Sequence, residues 1–150
     1  MAAVRRGAWV VLRFVTVLFF LGVVVEFFLV GLGLFSMHAG STIDNAHSLN
    51  AHRAVGYLVS VVGGVLLLIL TLLAWPKPRR ILGLYLLLFI LAFPVQPFLA
   101  IGGVHHRFVG MLHPVNAAIL LGLSGYLAHY AWASRRDETP ETIQAPVPSG

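Results

Sequence analysis

The chain has 150 residues, 59% of them hydrophobic and only 10% charged, with a mean hydropathy of +0.90. Water could not solvate that much apolar surface on a domain of this size, so lipid must, and a soluble enzyme, a nucleic-acid-binding domain and a disordered regulator are excluded. The lack of cysteine removes disulfides, thiolate zinc, iron–sulfur clusters and covalent c-type haem, and the charge of +5 reads as basic flanks of membrane spans rather than a polyanion-binding face.

Met1 to Gly7 is a short basic lead. The first apolar run, Phe14 to Phe35, is broken only by Glu26. It is too long for a signal-peptide core of about 7–15 residues, so it reads as a retained span. Asp44 is a fair N-cap for a helix that includes His47. The second run, Ala54 to Trp75, carries no charge. The third, Ile81 to Ile101, contains Pro94, Gln96 and Pro97; the fourth, Phe108 to Ala133, contains His113, Asn116 and His129. Each covers the ~20 residues that cross a bilayer as a helix, and helix is the form that satisfies its backbone there.

The predicted fold is an all-α membrane protein, a four-transmembrane-helix antiparallel up-and-down bundle. The transmembrane domain covers residues 1–133, with spans at about 8–35, 54–75, 81–101 and 106–133. Residues 134–150 read as a disordered cytoplasmic tail, polar and proline-bearing. Arg5, Arg6, Arg13, Lys77, Arg79, Arg80, Arg135 and Arg136 fall on one side, and only Arg53 and Arg107 on the other. The positive-inside rule then puts both termini in the cytoplasm of a cell whose inner membrane the chain spans four times. His52-Arg53 and His106-Arg107 each open a span and hint at a parallel internal repeat.

Six of the seven histidines lie on the outward side: His38, His47, His52, His105, His106 and His113. A polar residue also sits in the outer half of every span: Glu26, His52, Gln96, and His113 with Asn116. Ionisable groups inside a membrane are costly and tend to face the bundle interior, where they mark function. His52 is followed four residues on by Gly56, His113 by Ala117 and His106 by Gly110. Residues i and i+4 share a helix face, so each pattern leaves a flat space one turn below an imidazole.

Two such helices, diagonal in the bundle, can hold one haem b between them. His52 and His113 are the expected axial ligands, with His106 in reserve two turns nearer the surface. Gly56 and Ala117 give clearance. Arg53 and Arg107, at the same interface, suit the haem propionates. A carboxyl at the depth of Glu26 is costly when ionised, so a partner is expected: Gln96, Asn116 or an outward histidine.

Each feature also has a plain packing explanation. His38, His47, His105, His106 and His129 can be solvated loop or interface residues. Gly56 and Gly110 can be close-packing points, and Gln96 and Asn116 can be interhelical hydrogen-bond glue worth ~0.6 kcal/mol each. Pro94 and Pro97 can simply kink span three.

The run LHPVNA at Leu112–Ala117 resembles a family of small, functionally uncharacterised bacterial four-span membrane proteins. Further matches are His52-x-x-x-Gly56, Gln96, and Glu26 followed by the Gly31–Leu34 segment. The resemblance covers the four spans and not the tail, and the family implies Gln where this chain has Glu26. More distantly, HRAVG at His52 and HPVNA at His113 are similar to the haem-ligand positions in one four-helix half of a haem A synthase. The catalytic half of such an enzyme has a glutamate three residues before its helix-two histidine; here that position is Leu49, and the second half is absent. That likeness implies haem binding and not haem A synthesis.

The leading expectation is therefore a haem b protein for electron transfer, haem handling or redox sensing. Its partners would be the lipid bilayer and a redox or membrane protein. The alternatives are a non-enzymatic accessory or assembly subunit, or a small metal or proton transporter, which one bundle accommodates only as a homo-oligomer.

Overall fold

In hydrocarbon a backbone must satisfy its own hydrogen bonds, and the four apolar runs do so as helices. The computed structural model describes residues 2–40, 42 and 46–134. Among these, four helices are long and apolar enough to cross a membrane: α1 (Ala2–Phe35), α2 (His47–Ala74), α3 (Arg79–His105) and α4 (Arg107–Ala133). Each is longer than its apolar run, because the polar flanks continue the helix beyond it. α2 opens seven residues before Ala54 with a 3₁₀ turn at His47–Leu49. Asp44 and the tail from residue 135 lie outside the described residues.

The helices alternate in direction. Their neighbours in space are α1–α2, α2–α3, α3–α4 and α4–α1, so α2 and α4 lie diagonally. One end of the bundle, here the near end, carries the start of α1, the α2–α3 turn and the end of α4. There Phe14 meets Trp132 edge-on with centroids 5.4 Å apart, and the Tyr130 hydroxyl donates to the Lys77 carbonyl at 3.3 Å. The turn closes tightly because Trp75 adopts a left-handed conformation (φ 48°) that stops α2. The far end carries the α1–α2 connection and the bend at His106.

The outer surface is apolar: Leu18, Phe28, Phe98 and Phe108 are all more than 60% exposed. A lipid bilayer suits that surface, and water does not. The interior is where the small polar groups sit. Thr16 and Ser124 donate back to the carbonyls of Leu12 and Leu120, four residues earlier, at 2.7 and 2.6 Å. Because the Thr16 proton is committed there, Tyr85 donates across the bundle to the Thr16 oxygen at 3.2 Å. Leu12, Leu67, Ile81, Leu88 and Leu127 fill the near half around these groups.

Two π-helical turns, at Leu58–Gly63 in α2 and Leu91–Val95 in α3, interrupt the helices at mid-height. The second follows from Pro94 and Pro97, which cannot donate to the α-helical ladder. The turns touch: a Cβ on Gly64 would stand 3.4 Å from that of Phe93. Beyond them, toward the far end, the two hairpins part. Asn50–Tyr57 packs on α1, and Gln96–His105 packs on α4.

At the tip of the second hairpin the backbones of α3 and α4 meet directly. A Cβ on Gly103 would lie 2.6 Å from the Gly110 Cα. Gly110 is thus a helix-crossing residue, and the clearance expected below His106 is filled by α3. The suggested repeat is also out of register. His106 is the extended residue before α4, with φ −135°, whereas His52 lies inside α2. Counted from the helix starts, the counterpart of His52 is Leu112, one residue before His113.

Candidate functional site

The parting of the hairpins leaves a cavity of about 370 Å³, lined by all four helices. That volume falls in the range of ligand pockets, roughly 300–1,000 Å³. Its polar lining is short: Glu26 from α1, His52, Arg53, Tyr57 and Ser60 from α2, Gln96 from α3 and His113 from α4. The rest is apolar or small, including Phe19, Gly56, Pro97 and Ala117. The widely spaced polar residues of the four spans thus converge on one space.

His52 and His113 face each other across it. Their ring centroids are 6.3 Å apart and their planes meet at 82°. Both rings are held on the Nδ1 side. His52 Nδ1 stands 2.5 Å from Oε2 of Glu26. The oxygen lies off the line of the ring N–H, so this is a close polar contact rather than an aligned hydrogen bond, and the other carboxyl oxygen, Oε1, is buried without a partner. His113 Nδ1 lies 3.3 Å from the Gln96 carbonyl oxygen. A carbonyl only accepts, so this nitrogen carries the proton and Nε2 keeps its lone pair. A carboxylate beside Nδ1 favours the same tautomer in His52.

Gln96 is held from two sides. Its Oε1 accepts from Asn116 Nδ2 at 2.6 Å, and Asn116 also donates to the Leu91 carbonyl at 3.0 Å, in the π-turn of α3. The Gln96 amide nitrogen is 3.4 Å from His113 Nε2, a long contact that a better electron-pair acceptor would displace. Gln96 and Asn116 are 9% and 5% exposed, as polar groups with satisfied bonds can be in a membrane core.

The other expected residues fall differently. Gly56 lines the cavity, but the space beside it is partly taken: a Cβ there would meet Glu26 Oε2 at 3.0 Å. Its lack of a side chain admits the carboxylate to His52. Arg53 reaches the cavity rim while donating to the Ala46 carbonyl at 3.1 Å and to Asn50 Oδ1 at 2.8 Å. His106 and Arg107 are exposed at the bend and do not line the cavity. Neither the Glu26–His52 pairing nor the part played by the Leu91 carbonyl follows from the sequence, because both depend on the rotation of one helix against another. Pro94 and Pro97 were the available signal for the second.

Among the described residues, no three His, Asp or Glu side chains are grouped to hold a metal ion by themselves. No family model, curated protein or solved structure gives a match to this chain.

Proposed function

We propose that this chain binds one haem b between α2 and α4, with His52 and His113 as axial ligands. The observation that carries the reading is the disposition of the two imidazoles. A metal–imidazole bond of about 2 Å, plus roughly 1 Å from nitrogen to ring centre, puts two imidazoles on opposite sides of one metal a little over ~6 Å apart. The observed centroid separation is 6.3 Å.

Both Nδ1 atoms meet oxygen, the arrangement that orients a ligating histidine and raises its basicity. Two imidazoles are too few donors for a bare ion, whereas a porphyrin brings four nitrogens of its own. When bound, haem supplies one-electron chemistry; the chain supplies ligands, orientation and electrostatics. With both axial positions filled by protein, electron transfer, haem handling or redox sensing fits better than oxygen activation. The likeness of HRAVG and HPVNA to haem-ligand segments supports the same reading.

The test is an absorption spectrum. Full-length protein from a haem-sufficient host is expected to be red, with a sharp Soret band. Colourless protein that takes up no added haem would overturn the reading. It would favour an accessory subunit in which the His113–Gln96–Asn116–Leu91 chain serves only to lock α3 against α4.

Glu26 is expected to tune the potential without ligating. Its negative charge beside His52 favours the oxidised, more positive iron. Glu26→Gln keeps an acceptor and removes the charge. The midpoint potential should rise by on the order of 50 mV, near a tenfold shift in a one-electron equilibrium. An unchanged potential would show that the carboxylate is electrically remote from the iron.

We further propose that the membrane is the inner (plasma) membrane, with the near end, and so both termini, in the cytoplasm. The support is the distribution of Lys and Arg. A C-terminal reporter active only after export should stay silent; strong activity would invert the topology and turn the histidine cavity toward the cytoplasm.

A further inference from the structure

A second polar centre lies at the near end. Arg13 reads from sequence as one more basic flank, yet it is only 6% exposed. Its Nε is sealed from solvent and has no hydrogen-bond partner. The Trp9 ring, one turn earlier on α1, sits 5.3 Å from its guanidinium carbon. Thr16, three residues on and so on the same face, receives the Tyr85 hydroxyl. The stripe Trp9–Arg13–Thr16 therefore lies on the packed side of α1, with Trp9, toward the near end, only partly buried.

This charge has no counter-ion among the described residues, where Glu26 is the only carboxylate side chain. Glu26 lies thirteen residues along α1, about 20 Å away at 1.5 Å per residue, where it serves His52. A cation–π contact offsets part of the cost of burying a guanidinium, but it does not neutralise the charge. The level of Arg13 in the membrane is fixed by its neighbour. Phe14 packs edge-on against Trp132, the penultimate residue of α4. Trp9, Trp75, Tyr130 and Trp132 all gather at this end, as aromatic residues do at the depth of the lipid headgroups. Exposed Arg5, Arg6, Arg79 and Arg80 surround it and raise the local concentration of anions.

We propose that Arg13, seated on Trp9, is a binding site for a phosphate group, carried by an anionic lipid of the leaflet at the near end. A guanidinium presents a planar fork of donors that matches two phosphate oxygens, which an ammonium cannot do. The site is independent of the histidine cavity and stands or falls separately from haem.

The full-length protein is compared in nanodiscs of phosphatidylcholine alone and with added phosphatidylglycerol. The apparent Tm of the wild type should be about 4 °C higher with the anionic lipid. Arg13→Gln should abolish that rise, while Arg6→Gln, an exposed neighbour, should keep it. The same rise from inorganic phosphate in phosphatidylcholine discs would also support the site and would identify the free anion as its source.

An equal rise in wild type and Arg13→Gln overturns the proposal. So does a destabilisation by the triple variant Asp137→Asn, Glu138→Gln, Glu141→Gln that matches that of Arg13→Gln in phosphatidylcholine, because the counter-ion is then the chain's own tail. If Arg13→Gln does not accumulate, native mass spectrometry of the delipidated wild type decides. Selective retention of phosphatidylglycerol supports the site, and retention equal to that of phosphatidylcholine rejects it.

Discussion

His52→Ala and His113→Ala are each expected to abolish the low-spin, bis-histidine haem spectrum and to cut haem retained through purification at least about tenfold. A tenfold change corresponds to ~1.4 kcal/mol, and the loss of one of two axial bonds should exceed that. The two rings come from diagonal helices, and their Nδ1 atoms are held by different elements, Glu26 of α1 and the Gln96 carbonyl of α3. Neither ring can therefore slide along its helix to replace the other. His106→Ala is the control, since that residue is exposed at the bend outside the cavity. It should leave the spectrum unchanged. A full spectrum in both His52→Ala and His113→Ala would remove the ligand pair. Loss of the spectrum in His106→Ala with retention in His113→Ala would move the haem toward the far end.

Gly103→Val is expected to be the most damaging substitution for the bundle itself. A Cβ at this position meets the Gly110 Cα at 2.6 Å and its nitrogen at 3.2 Å. Both are backbone atoms, so no rotamer change relieves the clash. Overpacking a core ordinarily costs about 1–3 kcal/mol; forcing two helix axes apart should reach or pass the top of that range. The displaced α4 carries His113 one turn deeper than Gly110, so haem content should fall with stability. Gly122→Val is the matched control, because a Cβ there meets nothing within 4 Å. Thermal melting of the two variants in the same detergent compares them. A Gly103→Val protein that melts with Gly122→Val would refute the direct backbone crossing.

Much of this molecule is legible in the sequence because the bilayer leaves few choices. Four apolar runs of span length become four helices, since no other open structure satisfies its backbone in lipid. The tight loop at Trp75–Pro78 and the short bend at His106 make sequential helices antiparallel. The depth of each polar residue follows from the rise per residue, so the chain itself assigns Glu26, His52, Gln96, His113 and Asn116 to the same half of the bundle, toward the far end. Proline at 94 and 97 marked the irregular stretch of α3.

Rotation about each helix axis was not legible, and the site depends on it. A helix that is apolar nearly all round marks no inward stripe of its own, so the face it turns to the bundle is chosen by packing against its neighbours. That choice brings Glu26 to His52 rather than to Gln96 or Asn116, and gives Gln96 to both His113 and Asn116. It also assigns two similar motifs opposite fates. His52-x-x-x-Gly56 opens on the cavity and admits a carboxylate, whereas His106-x-x-x-Gly110 is closed by the backbone of α3. Arg13 shows the same limit. Its position in the chain suggests a solvated flank, but the inward turn of the Trp9–Thr16 face buries it. The sequence thus determined which residues share a membrane level, through helix length and the cost of exposed backbone. Only the tertiary packing decided which of them touch, because contact depends on helix rotation and crossing, which no apolar run encodes by itself.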